Sequence, residues 1–259
     1  MEITRHEKLA QALKAAEKTC IAIEPISKEN TDLTVDDAYQ IQLINIEKEL
    51  SDGKKITGKK IGLTSIAVQN MLGVNTPDFG HLLDSMEAKN NTIQIDTILQ
   101  PKVEGEIAFV LKEDIKGPDA TAEDVINATE YVAAAIEIVD SRIKDWKIGL
   151  IDTVADNASS GKYVISHKKV DPRTIDLKNL KMDLYNGDEM INSGLGSAVL
   201  GDPAFSVAWL ANALSKYGVV LKKGEVVLSG ALTGMLTAEK GKEYTANFSE
   251  LGSISVKFE

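Results

Sequence analysis

Cysteine is nearly absent, since Cys20 is the only one among 259 residues. No internal disulfide can form, and a cytoplasmic location is the expectation. Histidine is scarce as well. His6, His81 and His167 lie scattered without ligand spacing, which sets aside a zinc site of the Cys/His type. Long apolar runs are missing: no segment approaches the roughly 20 residues that a membrane helix needs. The opening "MEITRHEKLA" carries acids where a signal peptide would carry an apolar stretch. Basic residues are outnumbered, 29 Lys and Arg against 39 Asp and Glu, and the formal net charge of −10 argues against a nucleic-acid partner. Repeats, low-complexity tracts and Pro/Ser-rich linkers are lacking too.

Apolar residues, by contrast, make up 43% of the chain, enough for a sizeable core. The first fifty residues read as helical. "LAQALKAAEKTC" is rich in helix formers, and "TVDDAYQIQLINIEKELSDG" opens on a capping box, Thr34 with Asp37, and closes near Gly53. A strand-like "KKITGKKIGLTS" follows, then a short helix expected through "IAVQNMLG" (66–73). From 101 onward the texture is mainly β. A second capping box, Thr121 with Asp124, predicts a helix over 121–132, and "YVAAAIEIV" reads as a buried strand. "KMDLYNGDEMINS" reads as a hairpin turning at Asn186–Gly187. In "GDPAFSVAWLANALSKYG", Asp202 caps an amphipathic helix, Pro203 sits in its first turn and Gly218 stops it. The expectation is a single α+β domain over 1–259, with a helical N-terminal arm (1–55) and a mixed β core (56–259).

"PKVEGEIAFVL" (101–111) is the unusual stretch. Alternate side chains of a strand share a face, so Glu104 and Glu106 point the same way, and Ala108 and Val110 follow on that face. Two carboxylates side by side against an apolar surface repel and lose solvation. Glu137 interrupts the apolar run of "YVAAAIEIVDSR" in the same manner. Taken singly, each could be a solvated position on an exposed sheet face, because Glu is seldom fully buried unless paired. Taken together, they point to a shared divalent cation, whose charge cancels the repulsion. Three carboxylates supply the hard oxygen ligands that suit Mg²⁺ or Mn²⁺.

The blocks "GKKIGLTS" (58–65), "GVNTPDFGHLLDSM" (73–86), "PKVEGEIAFVL" (101–111), "EIVDSRIKDWK" (137–147), "DTVADNASSG" (152–161) and "GSISVKF" (252–258) occur in this order along nearly the whole chain. In content and spacing the chain resembles the 2-keto-4-pentenoate hydratases, of the fumarylacetoacetate hydrolase-like superfamily. The resemblance implies a mixed β-roll or sandwich with helices packed outside, and a metal site at Glu104, Glu106 and Glu137. It implies hydration of a 2-hydroxy-2,4-dienoate, late in the meta-cleavage catabolism of aromatic compounds. A proton goes to C5, water adds at C4, negative charge moves onto the C2 oxygen, and C3 is then protonated.

Lys60 in "GKKIGLTS" matches the family's active-site lysine, whereas Lys59, on the opposite face of a strand, is expected to be an ordinary surface lysine. Asp78 in "TPDFG" is the implied acid/base group, although Pro–Asp before Gly is also a turn signature. Ser160 in "DNASSG" matches a position expected to contact substrate or position water, against the alternative of a hydroxyl closing a tight turn. Leu83 and the "SGALTG" stretch, through Ser229, Gly230 and Leu232, are the implied substrate contacts. Free backbone amides there could cradle a carboxylate.

The family also implies homo-oligomers, a pentamer or decamer, and association with the next enzyme of the pathway. Two further readings stay open: a 4-oxalocrotonate decarboxylase of the same family, and a non-catalytic metal-binding homologue. "GLGSAVLG" (194–201) lacks the last glycine of a dinucleotide fingerprint, "GKKIGLTS" has the wrong order for a P-loop, and no serine has a His/Asp partner set.

Overall fold

The computed structural model describes residues 3–66, 69–70 and 74–259. The N-terminal arm is helical. Its first helix, α1 (Arg5–Thr19), starts at a Thr4–Glu7 capping box. After the single turn of α2 (Ile26–Glu29), α3 (Val35–Ser51) starts at the Thr34–Asp37 box that the sequence announces. The helix expected over 66–73 falls mostly on residues outside those described.

The core is built from strands β1 (Ile56–Gly62), β2 (Asp78–Leu83), β3 (Thr92–Ile93), β4 (Pro101–Leu111), β5 (Thr129–Asp140), β6 (Ser160–Ile165), β7 (Lys181–Asn186), β8 (Glu189–Leu195), β9 (Val226–Ala231), β10 (Leu236–Thr237), β11 (Glu243–Phe248) and β12 (Gly252–Phe258). Helices α4 (Ala122–Ala128), α5 (Leu150–Ala155) and α6 (Pro203–Ser215) interrupt them. Among the described residues, one sheet runs β2-β1-β9-β4-β5-β6 with β10 beside β4, and a second runs β3-β12-β11-β7-β8. The first sheet curls until its ends meet: Ala88 donates to the Tyr163 carbonyl, and the Tyr163 amide donates to that of Met86. The result is a roll.

Closure of the roll explains the apolar texture of β4. Its odd residues, Val103, Ile107, Phe109 and Leu111, join the large core shared with the helices and the second sheet. Ala108, between them, packs inside the roll with Leu82, Ala135, Tyr163 and Leu228. Both faces are dry, so alternation is lost. The arm belongs to the same core, because Ala10 and Leu13 pack in one cluster with Phe258.

Three local expectations differ from the structure. The helix predicted over 121–132 ends at Ala128, because Thr129 pairs with Leu111 and starts β5. The hairpin turns at Gly187–Asp188 rather than Asn186–Gly187, since Asn186 still pairs with Glu189 and Gly187 supplies φ +59°. Lys59 is not at the surface: it is 3% exposed and its Nζ lies 2.9 Å from Glu225 Oε1. Its face of the sheet is covered by helices, so both faces are interior. Among the described residues, no helix is long and apolar enough to cross a membrane.

Candidate active site and metal centre

The register of the first sheet sets the chemistry. Glu104 on β4 stands directly opposite Glu137 on β5, and Glu106 stands opposite Ala135, two pairs further along. Antiparallel partners share a face, so the three carboxylates converge inside the roll, with an oxygen of each within 4.8 Å of the others. Like charges placed opposite one another destabilise a sheet. Glu106 and Glu137 are each only 1% exposed, and Glu104 is partly buried at the edge of a cavity.

Among the described residues, one buried ammonium answers them. Lys60 on β1 is 2% exposed, and its Nζ lies 3.3 Å from Glu137 Oε1. That is not enough. Among the described residues, Glu106 Oε1 and both oxygens of Glu137 have no hydrogen-bond partner, the ion pair with Lys60 lacking the alignment of one. Buried polar atoms are rarely left so. An all-carboxylate donor set with free, inward oxygens fits a divalent cation.

The electrostatics agree. Burial first, then Glu137, push Glu104 up to about 7 against the pull of Lys60. Burial likewise raises Glu106 well above the usual carboxylate range, helped by Glu137 and Glu104, and it raises Glu137 in spite of Lys60. Burial pulls Lys60 down, but Glu137, Asp78, Glu104 and Glu106 outweigh it and hold the ammonium above its ordinary value. In the metal-free cluster the surrounding carboxylates thus favour the charged ammonium.

Asp78 opens β2, opposite Gly62 of β1. The Thr153 hydroxyl on α5 donates to its Oδ2 at 2.6 Å, while Oδ1 has no partner among the described residues. Gly62 is required there. A Cβ would stand 2.2 Å from Asp78 Oδ1 and 3.2 Å from Lys60 Nζ.

The segment after α5 forms the facing wall. Asn157, Ala158 and Ser159 are all left-handed, with φ of +53°, +52° and +51°. Such a conformation costs L-residues roughly 1–2 kcal/mol each, so something must hold it. Arg142 does. Its guanidinium pairs with the Asp156 carboxylate and donates to the carbonyls of Asp156, of Asp140 at 2.6 Å and of Ser160 at 2.8 Å. Asn157 locks onto β2 through the His81 amide at 2.7 Å and the His81 carbonyl at 2.9 Å.

A cavity of about 220 Å³ gathers Lys60, Asp78 and Glu104 with Thr153, Ser159, Leu63, Val139, Trp146, Ile148 and Met235. Ser160 is not among its walls. The left-handed turn sends Ser159 inward, with its hydroxyl unpartnered among the described residues, whereas the Ser160 hydroxyl donates to the Asn157 carbonyl at 2.7 Å. Ser160 and Leu83 instead line a separate cavity beneath the N-terminal arm. Leu232 also stays out, and its amide donates to Gly105. The Gly230 amide, at φ +112°, donates to Glu106 Oε2 at 2.8 Å, so it holds a cluster carboxylate and is not a free cradle. Ser229 is fully buried beside it, its hydroxyl unpartnered among the described residues. Sequence reasoning missed Thr153, Ser159 and Trp146. Their only signal was membership of "DTVADNASSG" and "SRIKDWK".

Residues 72–259 match the family described as fumarylacetoacetate (FAA) hydrolase C-terminal. A 2-hydroxyhexa-2,4-dienoate hydratase of Comamonas testosteroni is 45% identical over 98% of this chain and 96% of its own. A 2-keto-4-pentenoate hydratase of Paraburkholderia xenovorans is 43% identical over 98% and 95%. Among solved structures, a 4-oxalocrotonate decarboxylase from Pseudomonas putida G7, complexed with magnesium and adipate, superposes with a TM-score of 0.95 at 33% identity, covering 100% of this chain and 99% of the other. The same enzyme complexed with calcium and acetate gives 0.94 at 32% identity, again over 100% and 99%.

Proposed function

The chain belongs to the fumarylacetoacetate hydrolase family, among its 2-keto-4-pentenoate hydratases, and from that premise we propose how its residues add water to 2-hydroxypenta-2,4-dienoate. The product is 4-hydroxy-2-oxopentanoate, and the enzyme is a hydro-lyase of aromatic meta-cleavage catabolism. Glu104, Glu106 and Glu137 hold a divalent ion, Mg²⁺ or Mn²⁺, which supplies Lewis acidity and a template for the 2-oxo acid head when bound.

The remaining work falls to the chain itself. Lys60, kept charged by four surrounding carboxylates, donates a hydrogen bond to the C2 oxygen as negative charge gathers there. Stabilising developing charge with a preorganised donor in a dry site is among the largest catalytic effects. Asp78 offers Oδ1 to the attacking water and takes its proton as C4 is hydroxylated, while Thr153 fixes the carboxyl through Oδ2. The free hydroxyl of Ser159 orients water or substrate from the facing wall, the role that sequence reasoning gave to Ser160. Ser229 and Gly230 act behind Glu106 rather than on substrate. The whole chain works as one catalytic unit, the arm holding α5 through Ser27, whose amide and hydroxyl donate to Asp152 at 3.0 and 2.7 Å.

The carrying observation is a cavity lined by Lys60, Asp78 and Glu104, with Glu106 and Glu137 clustered against Glu104 and their buried oxygens unpartnered among the described residues. An absorbance assay tests the reading, offering the dienoate and 4-oxalocrotonate side by side with Mg²⁺ or Mn²⁺. Hydration of the dienoate is expected. Carbon dioxide release from oxalocrotonate without hydration would transfer the chain to the decarboxylase reading. A homo-oligomer, pentamer or decamer, association with the next pathway enzyme and a cytoplasmic location complete the proposal. Light scattering on the purified protein tests the first of these.

A further inference from the structure

Gln42 reaches from α3 into the seam between the arm and the roll, where it is 1% exposed. Its amide nitrogen donates twice, to the Phe79 carbonyl at 3.1 Å and to the Val154 carbonyl at 2.7 Å. Both amide hydrogens are then spent, so in the third contact, 2.8 Å between Oε1 and His81 Nδ1, the histidine is the donor. That fixes the imidazole as its Nδ1–H tautomer. Burial, with Lys59 adding to it, pushes His81 down to about 3 and keeps the ring neutral.

Phe79 follows Asp78 in β2, and Val154 follows Thr153 in α5. The Thr153 hydroxyl and Asp78 Oδ2 meet at 2.6 Å, so one side chain of the arm ties the neighbours of both members of that pair. Topology creates the need for such a tie. Among the described residues β2 ends the first sheet, and its outward backbone groups have no strand to pair with. Side-chain amides take the strand's place. Asn157 bonds the amide and carbonyl of His81, and Gln42 bonds the carbonyl of Phe79. Precision matters here, because a displacement of about 1 Å in a catalytic contact can cost on the order of 10²-fold in rate.

We propose that Gln42 is a positioning residue for hydration. It sets the spacing of β2 against α5, and so keeps the Asp78 carboxylate on the Thr153 hydroxyl with Oδ1 left for the attacking water. Gln42 lies outside the matched residues 72–259, so the helical arm aims a group that the family region supplies. This rests on the reading of Asp78 as the proton acceptor and adds the residue that holds it in place.

A double-mutant cycle in the Mg²⁺-loaded protein tests the clamp. Thr153→Val and Gln42→Met are each expected to lower kcat roughly tenfold, the size of one hydrogen bond to a charged group. KM for the dienoate should change little, because Asp78 addresses water. Combined, the two should cost no more than either alone. Asn45→Leu is the control. It removes the bond from Asn45 to the Ala10 carbonyl at 2.9 Å, within the arm, and should lower Tm yet keep kcat. Full kcat in either single variant, losses that multiply in the double variant, or an equal loss in Asn45→Leu overturns the clamp alone. Full kcat in Asp78→Asn, run alongside, brings down the reading of Asp78 and the clamp with it. Nitrogen-15 shifts of the wild-type imidazoles need no variant and decide the matter should Gln42→Met not fold. His81 should be neutral and protonated on Nδ1 at pH 7. The Nε2–H form would mean that the amide is turned the other way, and the clamp would be absent.

Discussion

At the scale of single residues, the division of labour between Asp78 and Lys60 is the part most open to measurement. Asp78→Asn keeps the side chain's size and its hydrogen bond from Thr153 but removes the capacity to accept water's proton. Hydration is expected to fall by about 10²–10⁴-fold, with thermal stability and metal affinity nearly unchanged; a mutant as fast as the wild type would reduce Asp78 to turn chemistry. Lys60→Met carries a different signature. Because Lys60 meets charge that develops during the reaction, kcat and kcat/KM should fall by equal factors. It also strips the buried Glu137 of the one cation paired with it among the described residues, a loss of about 3–5 kcal/mol in the metal-free protein. Urea titrations with and without Mg²⁺ would show that deficit shrinking when metal is present, and an equal deficit in both would mean the ion and Lys60 do not share the cluster.

At the scale of elements, the stretch from α5 to the start of β6 does most of the positioning. Thr153 orients Asp78, the 157–159 turn presents Ser159, and the elements around the stretch hold it in place. Ser27 grips Asp152, Gln42 donates to the Val154 carbonyl at 2.7 Å, and Arg142 gathers the turn's acceptors. Three consecutive left-handed residues persist only when their surroundings over-determine them. Arg142→Met leaves Asp156 buried without its cation, so a stability loss of about 3–5 kcal/mol is expected by chemical denaturation. Activity measured below the melting range should fall as well, because Ser159 loses its support. Arg142→Lys keeps the charge but not the fork, and should recover part of the stability with less of the turnover. Full turnover in both variants would show that the turn holds itself.

At the scale of the whole molecule, folding and metal loading are linked through pH. Glu104 sits at about 7 against an ordinary 4.5, and Glu106 and Glu137 are raised as well. A raised carboxylate stabilises the metal-free fold fully only below its unfolded value, and that contribution is lost as pH climbs through the folded value. Metal-free protein should therefore lose Tm between about pH 5 and pH 8. Metal binding needs the ionised forms, so it strengthens across the same window. The gap between the melting temperatures of loaded and chelator-treated protein is expected to widen with pH. A gap that stays constant would remove the cluster as the metal's seat.

What the sequence determined by itself are the features governed by short-range rules. A strand's two-residue period placed Glu104 and Glu106 on one face, the capping boxes at Thr34 and Thr121 marked real helix starts, and Asp202 proved to be the cap of α6. The span 101–111 is a strand from end to end. The family was legible because its blocks are contiguous and ordered. Tertiary structure decided everything that depended on which face is dry or which way a turn runs. Lys59 is buried because the roll closes and helices cover its outside, a fact that no local pattern carries. Ser159, and not Ser160, enters the cavity because three left-handed residues undo the alternation that a strand would impose. Leu83 and Leu232 point elsewhere for the same kind of reason, their strands being pinned by neighbours distant in sequence. The meeting of Lys60, Asp78 and Glu137 from β1, β2 and β5 follows from sheet order together with the curl that closes the roll, since β9 and β4 lie between β1 and β5, and both are properties of long-range pairing.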